Sequence, residues 1–243
     1  MPILTETIQS LPEVQEKKFA NLEEKIGVNF SKKEFLVQAF VHRSYLNEHH
    51  DFPLGHNERL EFLGDAVLEL VVTEYLFEEY GNDEGELTNW RAALVNAVML
   101  AQISGEFELN DYVLLSRGEA RDTGRARQVI LANAMEALIG AVYLDQGYEA
   151  ASAFIHKFIL KHLPEIIEKK LYRDPKSTFQ EQAQEKVGLT PTYEVLTEWG
   201  PDHARQFRIG VYLGNDLVAE GEGPSKQEAQ QRAAEEGLKK KGW

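Results

Sequence analysis

The segment His56-Asn57-Glu58-Arg59-Leu60-Glu61-Phe62-Leu63-Gly64-Asp65-Ala66-Val67-Leu68 sets three carboxylates into a run that otherwise reads as the buried stripe of a helix. Glu58, Glu61 and Asp65 are spaced i, i+3 and i+7. On a helix of about 3.6 residues per turn this brings them within roughly 60° of one another. Leu60, Leu63, Val67, Leu68, Leu70 and Val71 take most of the remaining surface. Like charges stacked on one face repel, so the row is either a solvated acidic face or a ligand set. A divalent cation such as Mg²⁺, which takes hard oxygen ligands, is the chemistry that suits it.

A second helical run, Ile130 to Tyr143, is apolar or small apart from Asn133 and Glu136. A helix hydrophobic all round is a buried one, and an ionised Glu there needs a partner. Arg127 could supply one; a metal would also account for Glu61 and Asp65. Cys is absent, which excludes disulfides and thiolate metal sites and suits a reducing, cytoplasmic setting. No Ser/His/Asp or Cys/His arrangement competes, and His49-His50 reads as exposed loop.

The elements that must carry these groups read almost wholly helical up to residue 170, with segments at 13–26, 32–41, 57–80, 88–104, 109–118, 127–146 and 148–169. Gly81 to Gly85 reads as a loop and Thr88 as an N-cap. The register changes near Tyr172-Arg173-Asp174-Pro175. A helix at 176–187 follows, then strand-like runs Thr192–Trp199, His203–Leu213 and Leu217–Gly223, and a last helix at 225–240. Phe207, Ile209, Val211 and Leu213 alternate with period two, and Gly214-Asn215-Asp216 signals a tight turn. The first 20 residues have no apolar core of a signal peptide, and no run approaches the roughly 20 apolar residues of a membrane span. At 243 residues and 43% hydrophobic content the chain can bury a real core. Formal net charge is −14, of which residues 174–243 carry only −3, so the acid is concentrated in the half with the carboxylate helices.

Asn57 to Leu68 resembles the signature of bacterial ribonuclease III, and residues 174–243 resemble a double-stranded-RNA-binding domain. The likeness runs from Val14 to Leu238. It implies a multidomain chain: an all-α ribonuclease III endonuclease domain over 12–170, then an α+β domain of order α-β-β-β-α over 174–243. It also implies a Mg²⁺-dependent endoribonuclease, with Mn²⁺ able to substitute, that cuts double-stranded RNA to 5′-phosphate and 3′-hydroxyl ends. Processing of ribosomal RNA precursors and other structured transcripts in the cytoplasm would be its work, and a homodimer its assembly.

Carried over residue by residue, Glu61, Asp65, Asn133 and Glu136 would hold the metal, with Asp65 and Glu136 at the centre of catalysis. Glu58 and Glu84 match outer carboxylates, and Phe62 an aromatic that enters the partner subunit. Asn133 departs from the family, which usually has Asp there; its amide can ligate without charge or hydrogen-bond a ligating carboxylate. The departure is either a natural variant or a change that slows cleavage. It keeps open the alternative of a weakened or inactive double-stranded-RNA-binding protein. In the C-terminal module the resemblance assigns RNA contacts to Ser177, Gln180, Glu181 and Gln184, to His203 in the Gly200-Pro201-Asp202-His203 turn, and to Ser225 and Lys226. Gln227 and Gln230 stand where the family often has Lys, which weakens the electrostatic part of binding.

Overall fold

The computed structural model describes residues 13–201 and 204–243, so His203 lies outside the described residues. The chain divides into two compact units between Leu171 and Tyr172. The first is helical: α1 (Glu13–Ile26), α2 (Lys33–Ala39), α3 (Arg43–Leu46), α4 (Glu58–Glu79), α5 (Glu84–Val95), α6 (Ala97–Glu106), α7 (Arg125–Gln146), α8 (Tyr148–Phe158) and α9 (Leu163–Glu168). At its centre α7 packs on α4, α6, α2 and α8.

The α4–α7 crossing is set by glycine. A Cβ on Gly64 would lie 1.7 Å from the Glu136 carbonyl oxygen, and one on Gly140 would lie 2.2 Å from that of Leu60. Backbone therefore rests on backbone, closer than any side chain allows. Around the crossing Leu60, Val67, Leu68, Met135, Leu138 and Ile139 are buried. By length and apolarity α7 could cross a membrane, contrary to the sequence expectation. Here its Ala132, Ala134, Met135 and residues 137–142 are buried inside the helical unit.

Several element boundaries differ from expectation. The helix expected at 88–104 is two: Asp83 caps α5 by accepting from the Glu86 amide at 2.9 Å, and Asn96 starts α6 by accepting from that of Met99. Thr88 is thus inside α5 rather than its cap. Residues 109–118 are not an α-helix. A short 3-10 turn at Leu109–Asp111 gives way to extended chain whose Leu114 bridges Val41, with the Leu114 amide donating to Phe40 and that of His42 to Leu114. The run at 148–169 breaks after Phe158, and Pro164 sits in the first turn of α9, where its missing N–H costs nothing.

The second unit is α10 (Pro175–Val187), an antiparallel sheet of order β1 (Thr192–Trp199), β2 (Gln206–Leu213), β3 (Asp216–Gly223), and α11 (Lys226–Lys241). Asp174 caps α10 through the Ser177 amide, and Ser225 caps α11 through that of Glu228. Phe179, Ala183, Val211, Leu213, Val218, Ala233 and Ala234 form its core. Gly221 again admits close approach: a Cβ there would be 2.2 Å from the Ala233 nitrogen, so α11 lies directly on β3.

Gly64→Ala should lower stability by about 3 kcal/mol, the upper part of the range for overpacking, because the obstacle is backbone and cannot rotate away. Gly105→Ala, in a helix with nothing within 4 Å, should be neutral or slightly stabilising. Urea midpoints of the two variants check this.

Candidate active site

The crossing brings the two acid-bearing helices together at the level of their carboxylates. From α4 come Glu58, Glu61 and Asp65, and from α7 come Asn133 and Glu136. Burial, then the neighbouring Asp65 and Glu61 carboxylates, pushes the Glu136 carboxyl up to about 7. Burial, then Glu58, raises Glu61; the Asn133 side chain hydrogen-bonds to it and pulls the other way, and Asp65 raises it further. Asn133 thus acts on a carboxylate of the cluster, one of the two roles open to an amide at this position. The groups acting on Glu136 are further carboxylates. Arg127, its candidate partner, instead donates Nε to the Asp122 carbonyl and Nη2 to that of Glu119.

Among the described residues, no three His, Cys, Asp or Glu side chains converge on one point as they stand. The donor chemistry nonetheless fits a hard divalent cation: carboxylates and an amide oxygen, with no sulfur or imidazole among them. A half-buried Glu136 facing two other carboxylates is the arrangement such a cation relieves.

Glu58 sits at the rim, 3.8 Å from Arg43 Nη1 and 3.7 Å from His56 Nδ1. Glu84 opens α5 and lines a pocket with Thr73, Leu76, Phe77, Leu87 and Arg91. Glu84 is not among the groups that raise Glu61 or Glu136. Phe62 is 81% exposed, which rules out core packing within its own unit. His49 stacks on Tyr45, ring centroids 4.0 Å apart, in the exposed loop expected for it.

In the second unit Ser177, Gln180, Glu181 and Gln184 are exposed at i, i+3, i+4 and i+7 on one face of α10. Ser177 Oγ donates to Asp174, and Gln184 is 3.3 Å from Thr190 Oγ1. Ser225 is occupied as the cap of α11, while Lys226 is exposed with Nζ 5.7 Å from the Phe207 ring. Gly200 takes φ +91°, and a Cβ there would lie 2.5 Å from the Ala204 carbonyl oxygen. Two features escaped the sequence reading: the pocket beside Glu84, and the role of Gly140, whose signal was a Gly four residues after Glu136 in a buried helix.

Residues 32–163 match the family described as Ribonuclease-III-like, and residues 175–241 match the double-stranded RNA binding motif. The chain is 42% identical over 227 residues to Ribonuclease 3 of Campylobacter jejuni, covering 93% of this chain and 99% of that protein. It is 45% identical over 223 residues to Ribonuclease 3 of Bacillus cereus, covering 91% of each. The crystal structure of the nuclease domain of C. jejuni ribonuclease III superposes with a TM-score of 0.54 at 41% identity, covering 61% of this chain and 97% of that one.

The raised Glu136 carboxyl has a consequence for stability. Its folded pKa of about 7 exceeds the ordinary 4.5, so folding favours the protonated form. Stability from this group is therefore full below pH 4.5 and is lost as pH rises to about 7. In the absence of divalent cations, Glu136→Gln should be more stable than the parent at pH 8 by about 2 kcal/mol, after discounting for partial solvent access, and equal to it near pH 4. Urea midpoints in chelator at the two pH values measure it.

Proposed function

This chain belongs to the ribonuclease III family and is an endoribonuclease of that type acting on double-stranded RNA, and on that premise we propose that Glu61, Asp65 and Glu136 hold its catalytic Mg²⁺. Asn133 orients Glu61, and Mn²⁺ can take the same ligands. The observation that carries this reading is the half-buried Glu136 set against two carboxylates of the crossing helix. When bound, the ion supplies a water of lowered pKa and positive charge beside the leaving 3′ oxygen. The chain's own groups set the geometry: the glycine crossing fixes how far apart the two helices hold their acids, and Glu58 waits at the rim. The products are 5′-phosphate and 3′-hydroxyl ends, and the substrates include ribosomal RNA precursors and other structured cytoplasmic transcripts. The α10 face, Lys226 and His203 hold the duplex by its minor grooves and phosphates.

The working unit in this reading is a twofold homodimer. Along α4, Phe62, Leu70 and Phe77 are exposed by 81%, 56% and 79%, an apolar row beside the ligand helix face. Phe77 also lines the pocket that holds Glu84. If Phe62 of one protomer enters that pocket on its partner, the two α4 helices run antiparallel, and their midpoint falls at residues 69 and 70. The same contact carries the partner's Glu84 toward the cluster. One carboxylate cluster per chain addresses one strand, so two related by a twofold axis cut both. A described structure of the C. jejuni nuclease domain concerns a region involved in dimer formation in that protein.

Glu136→Ala should lower cleavage of a long RNA duplex in millimolar Mg²⁺ by at least about a hundredfold, roughly 3 kcal/mol of barrier, with duplex affinity nearly unchanged. Full activity would refute the ligand assignment. Asn133→Asp, assayed beside it, separates the readings of that position: a large gain marks the parent as a weakened enzyme, and a small change marks Asn133 as a working part of the site. For the dimer, Phe62→Ala should shift sedimentation toward monomer and reduce cleavage with it. Because the chain has no Cys, Leu70→Cys should form a covalent dimer on oxidation; a variant that stays monomeric under oxidation speaks against an axis there.

A further inference from the structure

Asn57 stands at the N-cap of α4, where an Asn ordinarily turns its side chain back to accept an amide of its own helix. Asp83, Asn96 and Asp174 do this at α5, α6 and α10. Asn57 does not. Its side chain goes to another element instead. Nδ2 donates to the Ala39 carbonyl at 3.1 Å, and the backbone amide donates to the Val41 carbonyl at 2.9 Å. The residue is only 4% exposed, one of three buried polar or charged residues among those described. A buried amide is costly unless bonded, and a local cap would have satisfied it, so the stability of α4 alone does not account for the reach.

The other half of Asn57 belongs to α4. Its backbone is already helical, at φ −80° and ψ −12°. Its carbonyl accepts from the amides of Leu60 at 2.8 Å and Glu61 at 2.9 Å. One residue thus joins the backbone of Ala39 and Val41 to a residue whose side chain belongs to the carboxylate cluster. The support is firm. Ala39, Phe40 and Val41 are fully buried, the Leu114 amide bonds the Phe40 carbonyl, and α2 packs on α7. The helix bearing Glu136 and the start of the helix bearing Glu61 and Asp65 therefore share one anchor.

The glycine crossing and this tie constrain different motions. Gly64 against Glu136 sets how near α4 and α7 approach. A single point of contact still leaves a helix able to turn about its axis. A turn of about 12° carries a group some 5 Å from the axis through about 1 Å. A misplacement of that size can cost about a hundredfold in rate. Asn57, about two turns before Gly64, removes this freedom.

We propose that Asn57 is a positioning residue of the metal site: its tie to Ala39 and Val41 fixes the rotation of α4, and with it where Glu61 and Asp65 stand relative to Glu136. This rests on reading those carboxylates as the metal's ligands. Asn57 acts through the Glu61 backbone and is no ligand itself.

The test uses the full chain without RNA, titrated with Mn²⁺ and read by the paramagnetic resonance of the free ion. Asn57→Ala should weaken Mn²⁺ binding about tenfold, as loss of a group that orients metal ligands does. Asn57→Asp keeps the shape but sets an acceptor against the Ala39 carbonyl, and should weaken it at least as much. In Mg²⁺ both should lower kcat about tenfold or more, with KM for a long duplex nearly unchanged. Glu23→Gln is the control for plain loss of stability, since the buried Glu23 carboxylate holds the Phe30 amide and Lys33. It should lower the melting temperature and leave Mn²⁺ affinity and kcat at the parent's values. A folded Asn57→Ala with the parent's Mn²⁺ affinity and kcat would overturn the proposal, and so would Glu23→Gln losing both to the same extent. Should Asn57→Ala fail to fold, Asn57→Ser is judged by the same two constants. Glu61→Gln keeps the two readings apart. If it binds Mn²⁺ and cleaves like the parent, the ligand assignment fails and the proposal with it; if it alone loses both, the ligands stand and Asn57 positions nothing.

Discussion

Everything chemical in this molecule depends on two helices touching through their backbones. Gly64 and Gly140 allow α4 and α7 to approach until a carbonyl of one faces an α-carbon of the other. Any side chain at either point would hold the axes apart and separate Glu61 and Asp65 from Glu136. The contact also explains why the acids are tolerated. Each helix alone would place its charges in water, whereas the crossing buries one face of each and leaves Glu136 with other carboxylates as neighbours. Repulsion is thereby stored where a cation can release it, and the apolar packing of Leu60, Val67, Leu68, Met135 and Leu138 bears the cost.

The RNA-binding unit uses the same device for a different end. Gly221 lets α11 lie on β3, and Gly237 receives the edge of Phe179 from α10, so α11 sits low on the small sheet and α10 packs closely against α11. With a core of so few large side chains, close backbone approach compensates for limited volume. What remains on the outside is polar: the α10 row, and the first turn of α11 opened by Ser225 and Lys226. Ser225 is consumed in capping the Glu228 amide, which leaves Lys226 as the exposed cation of that turn.

The sequence carried much of this, because its strongest signals are local. The apolar stripe with three acids, the buried run around Glu136, and the period-two alternation in β2 each name their element without tertiary help. The misses share a cause. Asn96 divides a long helical run because its side chain caps the second half, and a mid-run Asn has no pattern to announce that. Residues 109–118 have helical composition but pair with Phe40 to His42, a partner some seventy positions away. Gly140 looked like one small residue among many; its meaning exists only once Leu60 stands against it. Local propensity loses wherever a distant backbone offers better hydrogen bonds.

Charge placement then settles how so acidic a chain can serve a polyanion. A formal charge of −14 spread evenly would repel RNA at every approach. Here the acids of the helical unit include a cluster that a divalent cation would neutralise on binding, and four of its seven arginines are drawn together in residues 117–127. The long-range field is therefore a poor guide, since at physiological salt charges more than about 8 Å apart in water are largely screened. Within that distance what counts is the local arrangement of charge, and residues 117–127 set four arginines against two acids.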